Sequence, residues 1–272
     1  MNYRTYKLRL YIIRLIPPLL LDILRYISRS FLNNSEFHEY IERKNSDVIN
    51  FKQIYYLTSN AILNIPIENI RHHGGQAYNY NQHHFMKYYK EGINELKDYY
   101  DNHCPKTIFE KHFIFNTSFQ QASLPWVVGS NVNKSGEHGL STDHGNSAYG
   151  PISEEKLKLE AKRLDKCLKS IEKNGYLEYD KFTKAYNGFP RGYFLVSNEG
   201  KWVFRVVGAK HRVAALAHLG WKNIPVCLEP TFPNCILEKD ISEWPGVASG
   251  EFNEYEAKLI FDSYFKDREI RL

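Results

Sequence analysis

The chain has 272 residues, 43% of them hydrophobic and 15% aromatic, and a formal net charge of +5. That supply of apolar and aromatic side chains is enough to bury a core and excludes a disordered chain. The charge is too small for a basic nucleic-acid-binding arm. Cys104, Cys167, Cys227 and Cys235 contain no C-x-x-C pair, so a zinc site would have to be assembled from scattered parts, and buried free thiols in a reducing cytoplasm are expected.

Residues 1–35 read as a basic amphipathic segment. Leu8, Ile12, Leu15, Leu19 and Ile23 recur at helical spacing, flanked by Arg4, Lys7, Arg9, Arg14, Arg25 and Arg29. Pro17 and Pro18 interrupt the longest uncharged apolar run, which is too short to span a bilayer. Two readings stand side by side: residues 1–30 lie on an anionic membrane surface, as a peripheral segment of a cytoplasmic protein, or they pack on the domain or on a second copy.

Residues 36–150 read mostly as helix and loop. Two histidine pairs occur there, His72–His73 and His83–His84. Adjacent imidazoles diverge on a helix, so each pair is a poor chelate. They are expected at the surface, and no residue is assigned as a metal ligand. The Gly-, Ser- and Asn-rich stretch 129–151 reads as a long loop, either functional or a linker. Within it His138, Asp143 and His144 are candidates for substrate or metal contacts.

Residues 151–272 read as an α+β domain. Ser153 is an expected N-cap with Glu154 and Glu155 in the first turn. Leu157, Ala161, Leu164, Leu168 and Ile171 form an apolar face, and Asn174–Gly175 a stop. Lys156, Glu160 and Arg163 share a polar face, which reads most simply as a solvated ion-pair row. Strands are expected at Tyr193–Val196 and Trp202–Val207, with a turn at 197–200. A short helix follows over Val213–Leu219, closed by Gly220. A strand at Ile224–Leu228 carries Pro225, which suggests a sheet edge or a bulge. A last amphipathic helix is expected near Glu254–Phe265, with Tyr255, Leu259, Ile260 and Tyr264 on its apolar side.

The sharpest signal is the stretch Val207–Arg212, VGAKHR, which passes from strand to helix. A helix N-terminus presents unpaired N–H groups and the positive end of the dipole, so an anion belongs there. Cationic side chains in a first turn are disfavoured by about 0.3–1 kcal/mol each. Lys210, His211 and Arg212 therefore make sense if an anion is bound: Arg212 offers a bidentate fork and Lys210 a point charge. The alternative is a structural role, with Arg212 ion-paired, for example to Glu160.

Ser170-Ile171, Gly175, the hairpin, Gly208–Arg212, Ala214-Ala215-x-x-x-Leu219-Gly220 and Ile224-Pro225-Val226 together resemble the ParB/sulfiredoxin superfamily over roughly residues 160–230. The resemblance implies a compact mixed sheet with helices, and Gly208, Ala209, Lys210, His211 and Arg212 as nucleotide-phosphate ligands. Lys210 stands where sulfiredoxins resemble this chain but carry a nucleophilic cysteine, which excludes that activity. The residues after Pro230 hold no helix-turn-helix, so DNA partitioning is not expected. The corner is most similar to that of small-molecule kinases of the superfamily, with Ala209 where they carry Gly. The layout also resembles ParB-like proteins of surface-polysaccharide gene clusters, at Tyr149-Gly150-Pro151 and Trp244-Pro245-Gly246-Val247.

The resemblance thus implies a nucleotide-dependent phosphotransferase using ATP or CTP with Mg2+, acting on a small polar or sugar acceptor. Glu160 is the candidate base, with Glu154 and Glu155 behind it; His211 is a second catalytic candidate. Asp143, His144 and Arg163 are candidate acceptor contacts. The alternatives are a non-catalytic nucleotide sensor or adaptor, and a ParB-like DNA-binding or nuclease protein.

Overall fold

The computed structural model describes residues 62–115, 123–127, 139–176 and 189–266. The basic segment 1–35 and His138 lie outside the described residues. Among those described, no helix is long and apolar enough to cross a membrane.

The architecture is α+β, built on a mixed six-stranded sheet. In chain order the strands are β1 (Ile62–Pro66), β2 (Ile70–Arg71), β3 (Arg191–Val196), β4 (Trp202–Gly208), β5 (Asn223–Leu228) and β6 (Cys235–Leu237). The helices are α1 (His84–Glu91), α2 (Ile93–Asn102), α3 (Ile108–Lys111), α4 (Glu154–Asn174), α5 (Lys210–His218), α6 (Pro245–Ala248) and α7 (Glu254–Asp262). Strand order is β1-β5-β3-β4-β2. β3 and β4 form the expected antiparallel hairpin, closed by a bond from Ser197 N to the Lys201 carbonyl (2.8 Å). β6 runs parallel to the later part of β3, beyond the two residues that β3 shares with β5.

β3 and β4 are nearly continuous apolar runs because the sheet is covered on both faces. Phe194, Val196, Phe204 and Val206 enter one core with Leu157, Leu164, Val213 and Leu216 from the helices α4 and α5. The alternate residues Tyr193, Leu195 and Val203 enter a second core with Trp126, Trp244, Ile260 and Phe261. Each strand thus feeds two layers by its period of two.

Three expectations are corrected here. β1 and β2 were not visible in a region read as helix and loop. They are short, and their residues join the same core as α4 and α5, with Ile65 and Ile70 fully buried. β5 is not an edge strand, because β1 covers its other side, pairing Asn64 with Pro225. Pro225 is tolerated for a local reason. The N–H groups of Cys227 and Glu229 reach the Pro190 and Gly192 carbonyls (2.8 and 2.7 Å). Pro225 lies two residues earlier on that same side, before β3 begins. Finally, Tyr255 is exposed, and the buried side of α7 is Ala257, Ile260 and Phe261.

The helix α4 forms as expected. Ser153 Oγ accepts from Lys156 N (3.1 Å) at its start, and Gly175 closes it with positive φ. α5 begins at Lys210, three residues earlier than its apolar pattern suggested. Cys104 is exposed, whereas Cys227 and Cys235 are the buried free thiols expected.

Candidate functional site

The corner between β4 and α5 has the expected strand-to-helix form. Ala209 is the N-cap and adopts the left-handed conformation (φ 61°, ψ 35°). This is costly for an L-residue with a Cβ and is where a glycine is normally preferred. The Ala209 carbonyl accepts from Arg212 N (3.0 Å) and Val213 N (3.3 Å), the first bonds of the helix. No atom lies within 4 Å of where a Cβ on Gly208 would be, so the outer side of the corner is open. Lys210, His211 and Arg212 are all partly exposed in the first turn.

Behind the corner lies a buried ionic cluster. α4 packs along α5, and Glu160, on α4, is fully enclosed (0% exposed). His211 Nε2 donates to Glu160 Oε2 at 2.6 Å. Glu160 Oε1 receives Arg163 Nη1 at 2.9 Å and lies 3.1 Å from Lys156 Nζ. The expected solvated row is thus corrected: Lys156 is 1% exposed and Glu160 0%, with Glu160 facing His211 of α5, while Arg163 stays partly exposed. Burial opposes ionisation of Glu160, but the hydrogen bond and charge of His211, with Arg163 and Lys156, outweigh it and lower its pKa to about 2. Burial lowers the pKa of His211, with the pull of Glu160 opposing. The neutral imidazole with its Nε2 proton on Glu160 leaves Nδ1 as the other ring nitrogen.

Lys156 and Arg163 thus both stand against the one carboxylate of Glu160 at the foot of the corner. Arg212 also lies by α4: with Arg163 it opposes the upward push that burial exerts on the Cys167 thiol. The partner that α5 gives to Glu160 is His211, where the sequence had suggested Arg212 for a structural pair.

Of the other candidates, Glu154 and Glu155 begin α4, and Asp143 and His144 lie in the 3-10 turn Thr142–His144 before it. His144 Nδ1 hydrogen-bonds Ser153 Oγ (2.8 Å), and Ser141 Oγ donates to Asp143 (3.3 Å). Glu154 pairs with Lys158 at the surface (2.7 Å), and Glu155 lies 3.9 Å from His144. A cavity of about 670 Å³ opens along the exposed face of α4 between Lys162, Lys166, Lys169 and Lys173, and includes no residue of the corner.

The histidine pairs are corrected most sharply. His72, His83 and His84 are buried, not exposed. They converge from β2's end and α1's start, with one donor atom of each lying within 4.8 Å of the others. One aromatic ring joins this group to the corner: Phe85 stacks on His211 (centroids 4.7 Å apart) and meets His84 at 4.3 Å. The signal was in the sequence as two H-H pairs, but only the fold brings one pair to the other.

No protein family matches the chain, and no curated protein matches its sequence.

Proposed function

We propose that this chain is a nucleotide-dependent phosphotransferase on a ParB/sulfiredoxin-type scaffold, moving a phosphoryl group from ATP or CTP to a hydroxyl of a small polar or sugar acceptor. The observation that carries the reading is the Glu160–His211 pair, set in the first turn of the helix that follows the Gly208–Ala209 corner. A helix N-terminus favours a polyanion. Lys210 and Arg212 add the charge and the fork that phosphate oxygens need.

The roles of the two catalytic candidates divide differently from a simple carboxylate base. Glu160 is enclosed by three partners and its pKa is depressed, so it is a poor proton acceptor. It instead orients His211 as a positioning residue. His211 Nδ1 takes the acceptor's proton as the acceptor oxygen bonds to the γ-phosphorus. The bond from that phosphorus to the bridging oxygen breaks, and the nucleoside diphosphate leaves. Mg2+ carried on the phosphates would neutralise charge on them. Arg163, partly exposed beside Glu160, is the acceptor contact this reading favours, with Asp143 and His144, in the 3-10 turn Thr142–His144 before that helix, as further contacts.

The test is turnover. The full chain is incubated with γ-labelled ATP or CTP, Mg2+ and a panel of sugars and small alcohols. Label should move to one acceptor class, and His211→Gln should lower the rate by about 10²-fold or more, the usual weight of a general base. Nucleotide binding with no transfer across the panel would favour a non-catalytic sensor.

A further inference from the structure

His72, His83 and His84 form a group that no proton or protein partner explains. Both ring nitrogens of His72, Nε2 of His83 and Nδ1 of His84 are buried without a hydrogen-bond partner. Leaving such groups unsatisfied in the interior is costly, and native folds rarely do so. We propose that these three histidines bind a divalent transition-metal ion of the zinc, cobalt or iron(II) type.

The chemistry of each ring supports it. His84 Nε2 lies 3.4 Å from the Ser147 carbonyl, to which it donates its proton, which leaves Nδ1 with its lone pair for the ion. His72 is free to present either nitrogen. His83 Nδ1 accepts from Phe85 N (3.1 Å), so without an ion the proton sits on Nε2. Ligation through Nε2 moves that proton to Nδ1 and releases the Phe85 N–H. Donor atoms around a tetrahedral ion stand about 3.4 Å apart, so the rings draw together by roughly 1 Å on binding. Burial keeps all three imidazoles neutral, which removes proton competition for the lone pairs.

Imidazole suits zinc, cobalt and iron and does not suit Mg2+. Three ligands leave a tetrahedral ion one further position, as in catalytic rather than structural sites. The inference stands apart from the phosphotransferase reading, because the ion needs no nucleotide to bind.

The experiment uses the full chain, stripped with chelator and reloaded with Zn2+ or Co2+, with metal measured by mass spectrometry and Co2+ by its visible spectrum. Expected are about one ion per chain, a raised thermal midpoint, and intense visible Co2+ bands of a four-coordinate site. His72→Gln and His84→Gln should each lower metal affinity at least tenfold, whereas His218→Gln, a surface control, should not. Because a buried variant can fail to fold, the wild-type measurement also decides: a folded wild-type chain that takes up no ion, or shows only six-coordinate Co2+, overturns the proposal. So does full retention by a folded His72→Gln, His84→Gln double variant.

Discussion

Nε2 of His211 lies 2.6 Å from Oε2 of Glu160, a bond that joins the first turn of α5 to the second turn of α4 across 51 positions of sequence. It ties the open corner to a buried charge cluster, so the same carboxylate supports the packing of two helices and the orientation of the imidazole beside the corner.

The first prediction concerns that carboxylate. Glu160→Gln leaves Lys156 and Arg163 around a neutral amide in the interior. Breaking a buried pair by removing one partner costs about 3–5 kcal/mol. Urea unfolding should show a loss of that order; a change of less than about 1 kcal/mol would show that the cluster is hydrated after all.

Acid should destabilise the protein early. Burial, aided by His83 and Lys210, holds His72 well below 6.5, and burial also depresses His73 and His84. It lowers His83 to about 3 and His103 to about 4. Each of these imidazoles binds a proton near pH 6.5 in the unfolded chain but resists it in the folded one. Their stabilisation is complete above pH 6.5 and is lost as pH falls toward the folded values, by up to about 1.4 kcal/mol per pH unit for each. The thermal midpoint should therefore drop steeply between pH 6.5 and 4.5, and a flat profile there would contradict the burial of these rings. Glu160 adds a later loss, between 4.5 and about 2, that Glu160→Gln should abolish.

Ala209→Gly tests the corner's backbone. A left-handed alanine is strained by about 1 kcal/mol relative to glycine. The substitution should leave stability unchanged or raise it, despite the greater freedom glycine gives the unfolded chain. A loss beyond about 1 kcal/mol would mean that residue 209 is not left-handed.

Gly192 tests the hairpin register. A Cβ there would stand 2.1 Å from the Arg205 carbonyl oxygen and 2.7 Å from a ring carbon of Phe204. Backbone cannot yield as a side chain tip can, so Gly192→Ala should cost at least the 1–3 kcal/mol (about) typical of overpacking. Unfolding equilibria within about 0.5 kcal/mol of the wild type would place the strand pair differently.

Much of this was legible before folding. The cap at Ser153, the hairpin turn and the VGAKHR corner are local signals, and each appears where its chemistry placed it. What failed was non-local. Lys156, Glu160 and Arg163 have the spacing of a solvated row, and only the approach of α5 makes the row an interior cluster. Pro225 looked like an edge residue because nothing in ILNIP or IR announces the strands that flank the sheet. His72 and the pair His83–His84 are separated by a turn-rich stretch, so their convergence depends on the path between β2 and α1.

Nucleotide phosphates are the proposed occupants of the corner. The direct measurement is a thermal titration of the full chain with MgATP and MgCTP, repeated on a Lys210→Ala, Arg212→Ala double variant. One of the two nucleotides should raise the wild-type midpoint progressively with concentration, and the double variant should lose that rise while unfolding in one cooperative transition without ligand. No rise with either nucleotide, or an equal rise in the variant, would contradict the account.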